Sequence, residues 1–273
     1  MEPFALSAQT GLPSLALGEV MGVLLQFLFM MLRIGAFLVA APLFSARYVP
    51  LQVRLVMAVC LTLPLFASSP LPDPQSLNTA RLALFVFREL ALGVAAGLLL
   101  QILFAAAVIA GDRIANTAGL GLAAQVDPNT GVQSPVIGQF FTLFLIAVFL
   151  SLDGHLAAIR TILESYTLIP VTAPIRGEAL SQVGRDAAGV MFTTAAQIMM
   201  PIVAILLILN AIIGVITRSA PQLNIFAFGF PLTMSATVLL LFLTTSSTGI
   251  AFVSLIEDAL SQLTALFEAA HDG

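Results

Sequence analysis

Charge is scarce in this 273-residue chain: 9% of its residues are charged, where a soluble domain carries about 25%. None of its ten basic residues is a lysine. A water-facing surface cannot be assembled from that inventory, so a bilayer or another apolar surround must be its solvent. With a formal charge of −4 and no basic tract, no nucleic-acid partner is expected. Cysteine is nearly absent as well. The lone Cys60 excludes an intramolecular disulfide and a cysteine metal cluster, and reads as a small core hydrophobe. The N-terminal segment has acidic Glu2 and no positive region before its apolar residues, so no cleavable signal peptide is expected. No polar linker divides the chain, which reads as a single domain over 1–273.

What is present is apolar sequence, 59% of the residues. Six stretches stand out: Val20 to Phe44, Leu51 to Phe66, Leu82 to Ala110, Val136 to Leu152, Ala187 to Ile216 and Ile225 to Ile256. About 20 apolar residues carry a helix across the hydrocarbon core. The second and fourth stretches are marginal by that measure, and the third, fifth and sixth are too long for a plain upright crossing. Pro201 and Pro231 fall inside the fifth and sixth, where each is expected to kink or break a helix. The fold class is therefore all-α and membrane-embedded, with proline-broken helices.

Three charges lie within these stretches: Arg33, Arg88 and Glu89. An arginine at the centre of a spanning helix costs about 2.5–3.5 kcal/mol on insertion scales. All three are expected to face protein or water rather than lipid. If the stretches alternated as spans, Arg47, Arg54, Arg113 and Arg218 would lie on one side and Arg81, Arg160, Arg176 and Arg185 on the other. That balance gives no positive-inside orientation. It suggests that the helices do not all cross in the ordinary way.

Polar chemistry is sparse. The two histidines, His155 and His271, are far apart in sequence, and no HExxH, CxxC or phosphate-binding loop occurs. Gly119-Leu120-Gly121 is half a dinucleotide fingerprint without its third glycine or acidic partner. Neither catalysis, a cofactor nor a metal is expected. An amphipathic helix is predicted from Asp153, its N-cap, with Leu156, Ile159, Leu163 and Tyr166 on the apolar face. Arg160 and Glu164 stand at i, i+4 on it, and Ile169-Pro170 ends it. His155, two residues from Asp153, points to a different face and reads as a satisfied interfacial residue. The tail from Leu255 to Phe267 is also amphipathic, with Glu257, Asp258 and Glu268 on its polar side. Gly111 to Pro135 reads as a loop rich in glycine yet carrying apolar Leu120, Leu122 and Val126 before the turn at Asp127-Pro128. From chemistry alone it is either a surface loop or a segment obstructing a pore.

Four ordered motifs carry a resemblance. Asn210 to Leu232 reads NAIIGVITRSAPQLNIFAFGFPL, and Ala41 to Pro64 reads APLFSARYVPLQVRLVMAVCLTLP. Between them come GLGLAAQVDPNTGVQSP and DGHLAAIRTILESYTLIP. In order and spacing, from Met30 to Thr244, these resemble the FliR family of flagellar type III secretion export-gate proteins. The injectisome relatives share APQLN and the DP loop, while GFPL looks more like the flagellar branch.

The resemblance implies bent helical hairpins in a conical helical assembly at the flagellar basal body, in the bacterial inner membrane. FliP, FliQ and FlhB homologues are the implied partners, and exported flagellar proteins the transit substrates. It implies a non-catalytic pore subunit whose central loop plugs the closed pore. Carried to this chain, the plug comprises Leu120, Leu122, Gln125 and Val126, with Asp127 and Pro128 fixing the following turn. Leu122 and Gln125 stand where relatives often have phenylalanine, so an aliphatic plug is implied. In the other motif, Pro221 and Pro231 break helices, and Gln222 and Asn224 are expected to satisfy freed backbone groups. Asn210, Leu223, Gly229 and the phenylalanines Phe226, Phe228 and Phe230 surround that break. They pack either on a FliP-like neighbour or into an intramolecular corner. The alternatives outside the flagellar branch are an injectisome homologue and a secondary transporter built on proline-interrupted helices.

Overall fold

The computed structural model describes residues 17–46, 49–68, 79–120, 136–169, 177–220 and 228–271. Among these residues the structure is helical, in seven helices. They are α1 (Leu17–Ala40), α2 (Leu51–Ser68), α3 (Thr79–Thr117), α4 (Val136–Ser151), α5 (Gly154–Leu168), α6 (Gly177–Ser219) and α7 (Phe230–His271). Four are long and apolar enough to cross a membrane: α1, α3, α6 and α7. The protein is an all-α membrane protein.

Helix α3 is the hub, packed by α1, α4, α6 and α7. The α1–α3 contact is built on Gly93 and Gly97, spaced four apart on one face of α3. A Cβ at Gly93 would run into the carbonyl of Arg33, and one at Gly97 into Ala40. Backbones approach this closely only where side chains are missing, which is how small residues let helices associate in an apolar solvent. Gly111 plays the same part against Gly138 of α4. A continuous apolar core joins these helices, from Phe37 and Leu38 through Leu99, Leu103 and Ile114 to Phe252 and Phe267.

The long helices are divided along their length. In α6, large exposed apolar residues run from Phe192 to Ile216, about 36 Å at 1.5 Å per residue, close to one hydrocarbon thickness. The turns before them expose Glu178, Arg185 and Asp186 instead. Helix α7 mirrors this: Leu232, Val238, Leu239, Phe242, Leu243 and Ile250 are exposed in its first half. Its second half exposes Glu257, Asp258 and Glu268 while burying Leu255, Ala259, Leu263 and Phe267. Each helix is thus apolar-faced over one bilayer's depth and amphipathic beyond it.

Several expectations are corrected here. Pro201 does not interrupt α6. Pro231 lies in the first turn of α7, where the missing N–H would have had no intrahelical partner anyway. The sharp break falls instead between α4 and α5, which meet at 68° without a proline. Asp153 makes that turn in the left-handed region (φ 53°), and its side chain forms no capping hydrogen bond. The buried face of α5 is Gly154, Ala158, Ile162, Ser165 and Tyr166. Leu156 is exposed, because the bend rotates the helix against its neighbours. Cys60 is exposed rather than core. His155 is half-buried, and its Nδ1 has no hydrogen-bond partner among the described residues. The segment expected to be loop from Gly111 is helical through Thr117, since Ile114 and Ala118 continue the buried face of Ala107 and Ala110. Arg160 and Glu164 pair as expected, at 2.7 Å, with both side chains mostly in solvent.

Candidate functional site at the end of α3

The last four carbonyls of a helix have no intrahelical donor, and in an apolar surround they need another. At the end of α3 the Thr117 carbonyl and the Ala118 carbonyl just beyond it are met by side chains from different helices. Asn210 of α6 donates from Nδ2 to the Thr117 carbonyl at 2.9 Å. Thr233 of α7 directs its hydroxyl to the Ala118 carbonyl at 3.2 Å, with its own Phe230 carbonyl at 3.0 Å as the competing acceptor. The chain then turns. Gly119 donates its N–H back to the Asn116 carbonyl at 3.1 Å and adopts φ +87°, a conformation that favours glycine. The Phe230 ring lies against it, 3.6 Å from where a Cβ would stand. Leu120, half-buried, packs on the core.

Two regions that the sequence kept apart therefore meet. Asn210 and Phe230, from the ends of the NAIIG…GFPL motif, sit at the root of the segment 121–135. Gly229 beside them is buried, Phe228 is exposed and Pro231 is exposed. Leu122, Gln125, Val126, Asp127 and Pro128 lie outside the described residues, as do Pro221, Gln222, Leu223, Asn224 and Phe226. Thr233 is the residue sequence reading missed. Its signal was a hydroxyl four residues after Gly229 with Thr237 one turn further on the same buried face, a pattern shared by threonines that bond only their own helix.

A second polar constellation ties α1, α3 and α5. Arg33 and Glu89 are both fully buried, whereas Arg88, expected to be buried with them, is half-buried. Arg33 bonds Glu89 through Nε at 2.8 Å and Nη2 at 3.0 Å. Its Nη1 donates to the Ser165 carbonyl and hydroxyl, each at 2.9 Å, and Nη2 also reaches the Ile169 carbonyl at 3.2 Å. All five guanidinium N–H groups thus have acceptors. The positive charge sits where α5 ends, which complements the exposed carbonyls there. The Tyr166 ring stacks 4.2 Å from the guanidinium carbon, and its hydroxyl donates to the Met30 carbonyl. Charge is neutralised within the bundle, which is how an intramembrane arginine becomes tolerable.

The profile of the family described as "Bacterial export proteins, family 1" matches residues 24–259, from α1 into the second half of α7 and across this whole constellation. The chain belongs to that family. It is 33% identical over 217 residues to the flagellar biosynthetic protein FliR of Pectobacterium carotovorum subsp. carotovorum, covering 79% of this chain and 82% of that protein. Against the protein of the same name from Escherichia coli (strain K12) it is 32% identical over 212 residues, 77% of this chain and 80% of the other. With that of Bacillus subtilis (strain 168) the identity is 32% over 218 residues, 79% and 84%. As a FliR-family chain it is a membrane protein of flagellum biogenesis and protein export.

Proposed function

We propose that this chain is a non-catalytic subunit of the flagellar type III protein export gate, forming with FliP and FliQ homologues the pore through which flagellar proteins leave the cell. An FlhB homologue attaches to it, in the inner membrane at the flagellar basal body. The observation that carries this reading is the division of α6 and α7. A 43-residue helix is about 64 Å long, twice the hydrocarbon core, and its turns before Phe192 are amphipathic. A bundle so built stands partly outside the bilayer. Partner helices cover the apolar faces it presents, Leu207, Ile208, Ile212 and Val215 on α6 among them.

Within that pore, the segment 121–135 is the plug, with Leu122 and Val126 as its apolar seal beyond Leu120. Gln125 belongs to that plug, and Asp127 and Pro128 fix the following turn. Pro221, Gln222, Leu223, Asn224 and Phe226 form the corner that packs on a FliP-like neighbour. Co-expression with FliP and FliQ homologues should give a stable complex, while the chain alone is degraded or aggregates. Removing residues 122–125 should leave that complex assembled and make the membrane leak ions. A complex that lacks the loop residues, exports normally and holds the membrane potential would overturn the plug. A well-behaved monomer in mild detergent, with no affinity for either homologue, would overturn the gate subunit itself.

A further inference from the structure

Helix α3 exposes two kinds of surface. From Leu84 to Leu98 its exposed side chains are Leu84, Phe87, Leu90, Val94 and Leu98, all apolar. From Gln101 to Thr117 they are Gln101, Arg113 and Asn116, all polar. That order is the reverse of α6, where the charged turns come first and the apolar zone comes last. Yet the two helices share a level near their ends, where Asn210 bonds the Thr117 carbonyl. The polar part of α3 also lies beside α4, with Gly111 against Gly138 and the ring centroids of Phe104 and Phe149 5.3 Å apart. At this depth α4 exposes Phe140 and Leu143, α6 exposes Leu207 and Ile208, and α7 exposes Val238 and Leu239. One side of the bundle is thus polar where its other sides are apolar.

Each helical residue turns by about 100°, so Gln101, Ala105, Val108, Asp112 and Asn116 fall on one stripe about 80° wide. Arg113 flanks it. Ala105 and Val108, between the polar positions, are half-buried. Asp112 is half-buried too, and its Oδ1 has no hydrogen-bond partner among the described residues. Hydrocarbon offers an amide or a carboxylate no hydrogen bond, so polar side chains at bilayer depth turn to protein or to a water-filled cavity. A partner helix would have to supply matching groups at both ends of a stripe about 22 Å long. Water meets all of them. We infer that this stripe of α3 is a wall of the aqueous conduit, and that its ligand is the exported polypeptide in extended form. This rests on the export-gate reading above. Gln101 and Asn116 both donate and accept, so they match unpaired backbone amides and carbonyls without selecting a sequence.

The test uses the full complex with FliP and FliQ homologues in lipid, with Cys60→Ser throughout. Gln101→Cys, Val108→Cys and Asn116→Cys report the stripe, and Leu207→Cys reports the apolar face of α6. A charged, membrane-impermeant thiol reagent is applied from both sides, to the resting complex and to one holding an export substrate arrested in transit. The three stripe variants should react about tenfold faster than Leu207→Cys, since a thiol reacts as its thiolate and that forms where water reaches it. The arrested substrate should abolish their labelling. Equal reactivity at the stripe and at Leu207→Cys in assembled complex would mean that a partner helix covers α3, which overturns the inference and leaves the gate reading standing. Fast labelling that the arrested substrate does not slow would also overturn it, because the water there would lie off the export path. If the complex holds no substrate, the gate reading falls and this inference falls with it.

Discussion

Arg33 and Glu89, 56 residues apart, meet in a two-point ion pair with neither side chain exposed to solvent. The pair joins α1 to α3 at the level where Gly93 lets the two backbones touch. Removing one partner of a buried pair leaves an uncompensated charge, at a cost of about 3–5 kcal/mol. Glu89→Ala should lower the melting temperature and yield of the purified complex accordingly. Arg33→Met combined with Glu89→Leu should recover much of that loss. A Glu89→Ala complex as stable as the native one would mean that the charge finds another partner.

Tyr166 contributes in two separable ways. Tyr166→Phe keeps the ring over the Arg33 guanidinium and drops only the bond to the Met30 carbonyl, so it should cost about 1 kcal/mol. Tyr166→Ala also opens a cavity among buried groups and should cost about 3–5 kcal/mol. Thermal unfolding of the two complexes side by side distinguishes them. Equal losses would show that the hydroxyl alone matters.

Glycines in this chain should respond very differently to a single methyl. Gly93→Ala drives a Cβ into the Arg33 carbonyl, which is backbone and cannot step aside. Separating α1 from α3 should cost about 1–3 kcal/mol. Gly189→Ala, with open space around its Cβ, should be neutral or stabilise by up to about 1 kcal/mol. Protease resistance of the complex in detergent reads both, and the reverse order would contradict the α1–α3 contact.

The bend between α4 and α5 depends on a residue in the left-handed region. Asp153→Val should cost about 1–2 kcal/mol, because a β-branched side chain crowds its own carbonyl there. Asp153→Gly should be tolerated or stabilising. Complex yield and melting temperature measure the pair. A Val variant that matches the Gly variant would place the bend's cause elsewhere.

The helices of this fold were largely legible in the sequence, because unbroken apolar runs leave the backbone one way to satisfy its polar groups in lipid. Their ends were not. The third stretch continued through Asp112, Arg113 and Asn116: Arg113 and Asn116 are exposed and Asp112 is half-buried, while Ile114 and Ala118 stay buried. Reading glycine and charge as loop failed there because packing against Gly138 makes Gly111 an asset to the helix. Proline misled in the same way. Pro231 is harmless in a first turn, and only the position of the helix start decides that.

Composition and run length by themselves determined that the chain is all-α, lives in an apolar solvent and must hide Arg33 and Glu89. Transfer energies depend on residue type and hardly on what lies far along the chain. Partners are another matter. Arg33 chose Glu89 over any other acid, Asn210 found Thr117 and Thr233 found Ala118, separations of 56, 93 and 115 residues. Only the crossings of α1, α3, α5, α6 and α7 bring those groups within bonding distance. A helix turns each successive side chain by about 100°, so Glu89 faces Arg33 while its neighbour Arg88 turns away. The α4–α5 bend likewise decided which face of α5 is buried, because it re-aims the whole helix against α1 and α7.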